Sequence, residues 1–189
     1  MMIANVLRSL GTFHEQDVER FTKAIVRRIA AKDEILLREG EVCQTAYFLV
    51  SGACWQFTAK NELDHNVIDL HLPNEWVLNH QSFTAQQPSE YSICAFSEAT
   101  LWELNVRTIH ALIDESPAFL QLGKILGLGA QRVRFYDNNS TPLEKYQTIL
   151  RERPSLLQHF PLKVIASYLK ITPETLSRVR EQIAKAHGR

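Results

Sequence analysis

The fold of the C-terminal region is decided by residues 162–180, which read LKVIASYLKITPETLSRVR. Apolar side chains recur there at helical spacing on both sides of a short break and would form a small shared core: Ile165, Leu169, Ile171, Leu176 and Val179. Thr172 can cap the second helix through its hydroxyl, and Pro173 suits the first helical position. The spacing predicts a helix-turn-helix, with helices over 162–169 and 173–186.

The second predicted helix has an apolar face and a polar face. A polar face can simply be solvated. However, arginine can bond guanine O6 and N7, glutamate can accept from cytosine N4, and serine can serve either base. A recognition helix enters the major groove with its N-terminal residues. We therefore predict that the helix binds double-stranded DNA through a polar set: Thr172, Glu174, Thr175, Ser177, Arg178, Glu181 and Lys185.

The charge distribution agrees with a DNA-binding C-terminal region. The 189 residues contain 21 Lys/Arg and 21 Asp/Glu, so the net charge is zero. Residues 141–189 hold nine basic and four acidic residues, whereas residues 1–140 hold twelve and seventeen. A basic segment beside an acidic body favours contact with phosphates.

A second apolar stripe precedes this region. Its members are spaced 3, 4, 3, 4 and 3 residues apart: Phe119, Leu122, Leu126, Gly129, Val133 and Tyr136. A helix buried against the chain's own core would show the same stripe, but we favour a two-helix dimer seam because a small β-roll leaves little surface to cover so long a helix. The polar cluster 137–142, DNNSTP, then predicts a hinge, followed by a helix over 142–152.

The N-terminal part has a different pattern. Val18, Phe21, Ile25 and Ile29 recur at helical spacing and predict a helix over 15–31. Short β-rich runs separated by turn residues follow and predict an all-β sandwich or roll. These runs cover 35–37, 46–50, 54–58, 67–72, 91–95 and 100–104.

With these segments in place, the chain resembles the Crp–Fnr superfamily of bacterial regulators over nearly its full length. Residues 172–178, TPETLSR, are similar to the recognition-helix signature of that family. Residues 35–41, ILLREGE, and 46–53, AYFLVSGA, resemble the first hairpins of the cyclic-nucleotide-binding fold.

The resemblance implies an α+β protein with three parts. These are an N-terminal β jelly-roll sensor domain of the cyclic-nucleotide-binding type over 1–115, a long dimerisation helix with a hinge over 116–139, and an all-α helix-turn-helix domain over 140–189. It also implies a homodimer on a two-fold-symmetric operator, with RNA polymerase as a further candidate partner.

The sequence departs from the family pattern at three places. The phosphate-binding cassette, a Phe-Gly-Glu turn followed by an Arg-Ser/Thr pair, corresponds here to Pro73-Asn74-Glu75 and Ser89-Glu90. The arginine is missing and a carboxylate stands in its neighbourhood, so we do not expect cyclic AMP to bind. Lys170 occupies a turn position that usually carries glycine. The sequence ends soon after the recognition helix, so we expect no two-stranded wing and fewer phosphate contacts.

Other functions are less well supported. The sequence has no metalloprotease, serine-hydrolase, P-loop or dinucleotide motif, so we do not expect an enzyme. Asp64, His65, Asp69 and His71 could suggest a metal site, but strand alternation favours an ordinary surface. The odd number of cysteines favours small buried side chains over a disulfide framework or a cofactor: Cys43, Cys54 and Cys94.

Two expectations concern location and ligand. No apolar stretch has the length of a membrane span and the start lacks a signal-peptide core, so we expect a cytoplasmic protein without a membrane partner. The effector is not identified, because the sensor aromatics suit a core as well as a pocket: Trp55, Phe57, Tyr91, Phe96 and Trp102. The alternative function is a signalling or interaction module of the same fold without a DNA role.

Overall fold

The computed structural model describes residues 2–59, 65–130 and 140–187. The helices are α1 (Met2–Leu10), α2 (Glu15–Ala24), α3 (His80–Ala85), α4 (Val106–Glu115), α5 (Lys124–Ala130), α6 (Pro142–Glu152), α7 (Leu156–His159), α8 (Leu162–Tyr168) and α9 (Pro173–His187). A 3₁₀ helix over Pro117–Gly123 precedes α5. None of the helices in the described ranges is both long and apolar enough to span a bilayer.

The strands form two four-stranded antiparallel sheets. They are β1 (Val26–Ala30), β2 (Ile35–Leu37), β3 (Thr45–Ser51), β4 (Cys54–Ala59), β5 (His65–His71), β6 (Trp76–Val77), β7 (Ser92–Ala95) and β8 (Ala99–Asn105). One sheet has the order β1-β8-β3-β6 and the other has the order β2-β7-β4-β5. This is a jelly-roll arrangement. The six strands predicted from the sequence are confirmed to within two residues, whereas β1 and β6 were not predicted.

The predicted helix over 15–31 is wrong beyond Ala24. Val18 and Phe21 are buried on α2 as its spacing requires, but the backbone becomes extended at Ile25. Residues 26–30 then pair with β8 as an antiparallel strand, from Val26 opposite Glu103 to Ala30 opposite Ala99. Ile29, which completed the helical pattern, is exposed on this strand. Pairing with a neighbouring strand thus overrides a short-range periodicity.

The roll has an apolar core that also takes in the chain following α4. Phe119, Leu122 and Ile125 are almost fully buried in this core, and Phe13 packs against the Phe119 ring. Phe119 and Leu122 therefore cannot form the dimer seam that we favoured, and for these two residues the alternative of a stripe packed on the chain's own core is correct. Leu126 is half-buried against the same core. Val133 and Tyr136 lie outside the described residues.

The C-terminal helices agree closely with the sequence. The helix predicted over 142–152 is confirmed, and those over 162–169 and 173–186 are confirmed to within one residue. Thr141 and Glu144 form a capping box that starts α6, with Pro142 at its first position. Of the predicted hinge, residues 137–139 lie outside the described residues. The short helix α7 was not predicted.

The contacts divide the chain into two compact units, and each unit contains two separate stretches of sequence. One consists of Met1–Trp55 and His71–Arg132, and the other of Gln56–Leu70 and Val133–Arg189. The second unit thus joins most of the β4–β5 hairpin to helices α6–α9. The two stretches of that unit are far apart in the sequence, so no local pattern indicates that they meet.

Candidate nucleic-acid interface

Helices α8 and α9 are joined by a tight turn built around Lys170. Its backbone N–H donates to the Ser167 carbonyl at 3.1 Å, and the N–H of Ile171 donates to the Ala166 carbonyl at 3.0 Å. This pair of bonds is the Schellman motif, which places its central residue in the left-handed region. Lys170 has φ of +58°, as its position in place of glycine predicted. Such a conformation costs a residue with a side chain about 1 kcal/mol.

The start of α9 is capped as the sequence predicted. The Thr172 Oγ1 accepts from the backbone N–H of Thr175 at 3.2 Å, and Pro173 is the first helical residue. The Thr172 carbonyl also accepts from the N–H of Leu176 at 3.0 Å. These contacts fix the first turn of α9, which carries Glu174 and Thr175.

The two faces of α9 differ in burial as projected. Leu176 and Val179 are buried together with three side chains of the preceding helix and turn: Ile165, Ala166 and Leu169. The opposite side chains are exposed: Glu174, Ser177, Arg178, Glu181 and Lys185. Thr172 is exposed and Thr175 is half-buried because of its contact with the cap. Helix α9 therefore presents a continuous polar face. Arg180, which was not among the predicted residues, is also exposed at the border of this face.

Glu174 is held in its ionised form at the beginning of this face. Its own backbone N–H and then the Thr172 hydroxyl keep the pKa of the Glu174 carboxyl below its ordinary value, with a smaller contribution from the Arg178 charge one turn on. The face thus combines an anionic acceptor near the helix start with cationic donors at Arg178 and Lys185. Acceptors and donors of this kind can contact both base edges and phosphates.

The first part of the region expected to correspond to the phosphate cassette is a turn closed by its own side chain. Residues 73–75 form the turn between β5 and β6, where Asn74 has φ of +71°. There the carboxylate of Glu75 accepts from the N–H of Leu72 at 3.1 Å. Glu75 therefore serves as a turn residue. Ser89 and Glu90 lie in the segment between α3 and β7, and the Glu90 side chain is exposed.

A buried polar network surrounds Ser89. The Asn79 Nδ2 donates to the Ser89 Oγ at 2.7 Å, and the Asn79 Oδ1 accepts from the N–H of Ser82 at 3.0 Å. The Ser82 Oγ in turn accepts from the N–H of Cys43 at 2.9 Å. Asn79, Ser82 and Ser89 are each no more than 3% exposed. Asn79 and Ser82 were not predicted from the sequence. The pattern that could have indicated them is asparagine, a common N-cap residue, three positions before serine.

The residues considered for a metal site have separate partners. The His65 ring packs edge-on against Phe57 with ring centroids 4.4 Å apart, Asp69 lies 3.7 Å from the Arg153 guanidinium, and His71 lies 3.7 Å from Glu75. Asp64 lies outside the described residues. Among the residues that the structure describes, no three potential metal-ligating side chains form a group.

The cysteines and aromatic side chains of the roll support the core interpretation. All three cysteines are buried thiols, as expected, and burial raises the pKa of Cys54 to about 12. Trp102 stacks on Phe48 with ring centroids 5.5 Å apart, and Trp55 meets Phe96 edge-on at the same distance. These aromatic side chains are therefore engaged in packing.

Comparisons with known proteins agree with the fold. Residues 27–116 match the cyclic nucleotide-binding domain family. No curated protein matches the chain by sequence. The solved structures that are similar include FixK2 of Bradyrhizobium japonicum, with 17% identity, a TM-score of 0.72 and coverage of 86% of each chain.

Two further solved structures are similar over more of the chain. The c-di-GMP responsive global regulator CLP of Xanthomonas campestris has 17% identity and a TM-score of 0.65, with 93% of each chain covered. The catabolite activator protein of Thermus thermophilus has 18% identity and a TM-score of 0.52, with 96% of this chain and 88% of that one covered. Residues 27–116 thus resemble the cyclic nucleotide-binding domain family, and the fold of the chain is similar to that of these three solved structures.

Proposed function

We propose that this protein is a transcription regulator of the Crp–Fnr type that binds double-stranded DNA as a homodimer through α9. The observation that carries the proposal is the exposed polar face of that helix, which stands opposite a buried apolar face. Solvation alone would not require serine and arginine on the same face of a helix whose start is fixed by the Thr172 cap.

We propose different tasks for the residues of this face. The side chains of the first two turns, Glu174, Ser177 and Arg178, are those that a helix inserted by its N-terminal end brings to base edges. Arg178 suits the O6 and N7 of guanine. Thr172 and Thr175 border the start of the helix, where backbone N–H groups and hydroxyls contact phosphates. Lys185 lies two turns beyond Arg178 and suits a phosphate.

The homodimer is supported by an exposed strip on the segment that follows α4. Leu120 is 65% exposed, and Gly123 and Gly127 have open space where a Cβ would stand. Three residues make one turn of the 3₁₀ helix and about four make one turn of α5, so these positions lie on one side. Two copies related by a two-fold axis could bring their backbones close together along this strip. This strip replaces the seam expected at Phe119 and Leu122.

The sensor domain is proposed to have lost the cyclic-nucleotide phosphate site. Ser89, which stands in place of the cassette arginine, is buried in hydrogen bonds with Asn79, and the neighbouring Glu90 adds a negative charge. A phosphate entering here would meet like charge and would have to replace contacts that are already made. We therefore propose that cyclic AMP is not the effector.

The test is selection of duplexes from a random DNA pool by the purified protein. We expect enrichment of a palindrome with two half-sites about one helical turn apart. An Arg178→Ala variant should lose the preference at one base pair of each half-site, while an Arg107→Ala variant, which removes an exposed arginine of α4, should select the same palindrome. Recovery of random sequence by all three proteins would favour the interaction module without a DNA role.

A further inference from the structure

Strand β5 is the last strand of its sheet, so one of its sides has no neighbouring strand in the described sheet order. Such an edge exposes backbone N–H and carbonyl groups that proteins commonly cover. Here a side chain of α8 covers it. The Ser167 Oγ accepts from the N–H of Val67 at 3.1 Å and donates to the carbonyl of His65 at 3.0 Å. Ser167 therefore makes the pair of contacts that an adjacent strand would make.

Lys170 makes a second contact with the same strand. Its Nζ donates to the Asn66 Oδ1 at 2.7 Å and also to the carbonyl of Val67. Glycine would adopt φ of +58° at lower cost, so the turn itself does not require a lysine. The side-chain contacts supply a reason for lysine at this position, since hydrogen bonds to charged groups are stronger than neutral ones.

A third contact lies at the end of α6. The Arg153 Nη2 donates to the carbonyl of Leu70 at 2.7 Å, and its Nη1 donates to the Tyr168 hydroxyl at 3.3 Å. The same guanidinium faces the buried carboxylate of Asp69. Burial, and then the Asp69 charge, raise the pKa of the Tyr168 hydroxyl, so this residue stays neutral. Arg153, Ser167 and Lys170 thus contact backbone groups of β5 at His65, Val67 and Leu70.

We propose that these contacts, which we call the β5 interface, position the recognition helix, and that Lys170 is a positioning residue rather than a DNA contact. This inference rests on the proposed function. Ser167 lies on α8 and Lys170 in the turn between α8 and α9, and both belong to the same unit as α9. Anchoring them therefore fixes the orientation of α9 relative to β5. A dimer must present both recognition helices at a fixed spacing. Orientation that is set before binding reduces the loss of freedom on binding.

The experiment breaks the interface from both sides. Lys170→Gly removes the side-chain contact and leaves a residue that favours the left-handed turn. Asn66→Ala removes the acceptor on the strand, outside the helical region. Lys32→Gly is the matched control, since Lys32 is an exposed turn lysine. Hydrogen exchange of the Val67 amide is measured without DNA, and affinity is measured on the selected palindrome and on a duplex with one half-site.

We expect Lys170→Gly and Asn66→Ala each to accelerate exchange at Val67 and to weaken binding to the palindrome about threefold to tenfold. Affinity for the single half-site should stay within about twofold, because one recognition helix can dock without a preset spacing. The double variant should bind the palindrome no more weakly than the weaker-binding single variant, since both substitutions remove the hydrogen bond between Lys170 and Asn66. Lys32→Gly should match the unaltered protein in every measurement.

Several results would overturn the inference. If exchange at Val67 is unchanged in both single variants, the interface does not form in solution. If exchange accelerates but palindrome affinity does not fall, the interface does not position α9. Equal losses on the palindrome and the half-site would mean that Lys170 supports the helix pair itself. Absence of DNA binding by the unaltered protein would refute the proposed function, and the exchange data would still report separately on the interface.

Discussion

The network around Asn79 and the polar face of α9 both consist of polar side chains, but one set is buried and the other is exposed. Asn79, Ser82 and Ser89 point into the roll and bond to one another or to backbone groups. The serine, arginine and glutamates of α9 point outward from a helix whose other face is buried. Buried polar groups are satisfied internally in native proteins, so the first set serves the fold. The second set is available to a partner.

The largest expected effect comes from two consecutive apolar residues, of which one is buried and the other exposed. Phe119 is fully buried and Leu120 is largely exposed. Phe119→Ala should lower the free energy of unfolding by about 3–5 kcal/mol, as removal of a buried ring does. Leu120→Glu should leave unfolding nearly unchanged and convert the proposed dimer to a monomer. Chemical denaturation and light scattering measure the two effects. A dimer that survives Leu120→Glu would place the interface elsewhere, with Leu126→Glu as the next variant to test.

The second prediction concerns the buried network. Asn79→Ala removes both the α3 cap and the donor to Ser89, and should lower the free energy of unfolding by about 2 kcal/mol. Gln81→Ala, at an exposed position of the same helix, is the control and should change it by less than about 0.5 kcal/mol. If the two variants are equally stable in urea denaturation, the inward-facing network contributes nothing and the contrast fails.

The outward-facing side chains should show the opposite behaviour. Arg178→Ala should leave the urea midpoint unchanged and cost about 1–3 kcal/mol of binding on the selected palindrome, with little change on scrambled DNA. Lys185→Ala should weaken both duplexes alike and make the salt dependence shallower. Titrations at two salt concentrations distinguish these roles. Equal losses on both duplexes in the two variants would make Arg178 a charge contact.

The smallest expected effect concerns the binding of cyclic AMP, which we expect to be absent. Because Ser89 is buried in contacts with Asn79 and Glu90 is negatively charged, calorimetry with cyclic AMP should give no saturable heat at physiological concentration. Saturable binding in the micromolar range would show that the network opens to admit a phosphate.

The sequence predicted most about the segments whose pattern is local. Helices α6, α8 and α9 were predicted from spacing, and the start of α9 from Thr172 and Pro173, because a helix end is determined by a few neighbouring residues. The same holds for the left-handed turn at Lys170. Helix α7 and the capping box at Thr141 were not predicted. For the candidate site, the polar face of α9 could be projected in advance because its members repeat with the helical period.

The parts that failed depend on distant contacts. Residues 26–30 form a strand because β8, some 70 residues later, pairs with them. The stripe that begins at Phe119 is apolar as expected, but the spacing alone does not tell which side of the helix packs against the chain's own core. The exposed Leu120 was therefore missed. The β5 interface joins residues about 100 positions apart, as Ser167 and Val67 are. Its polar residues carry no motif until the helices are placed beside the strand.

The coverage of β5 by α8 has a consequence for biosynthesis. Residues 65–70 leave the ribosome long before Ser167 and Lys170, so the strand has an open edge during most of translation. Unprotected edges can recruit other nascent chains, and unpaired edges in partly folded species promote aggregation. The polar and charged members of β5, among them Asn66 and Asp69, reduce that hazard because they disfavour apolar association. The order in which the chain is made therefore constrains the same residues that later anchor the C-terminal helices.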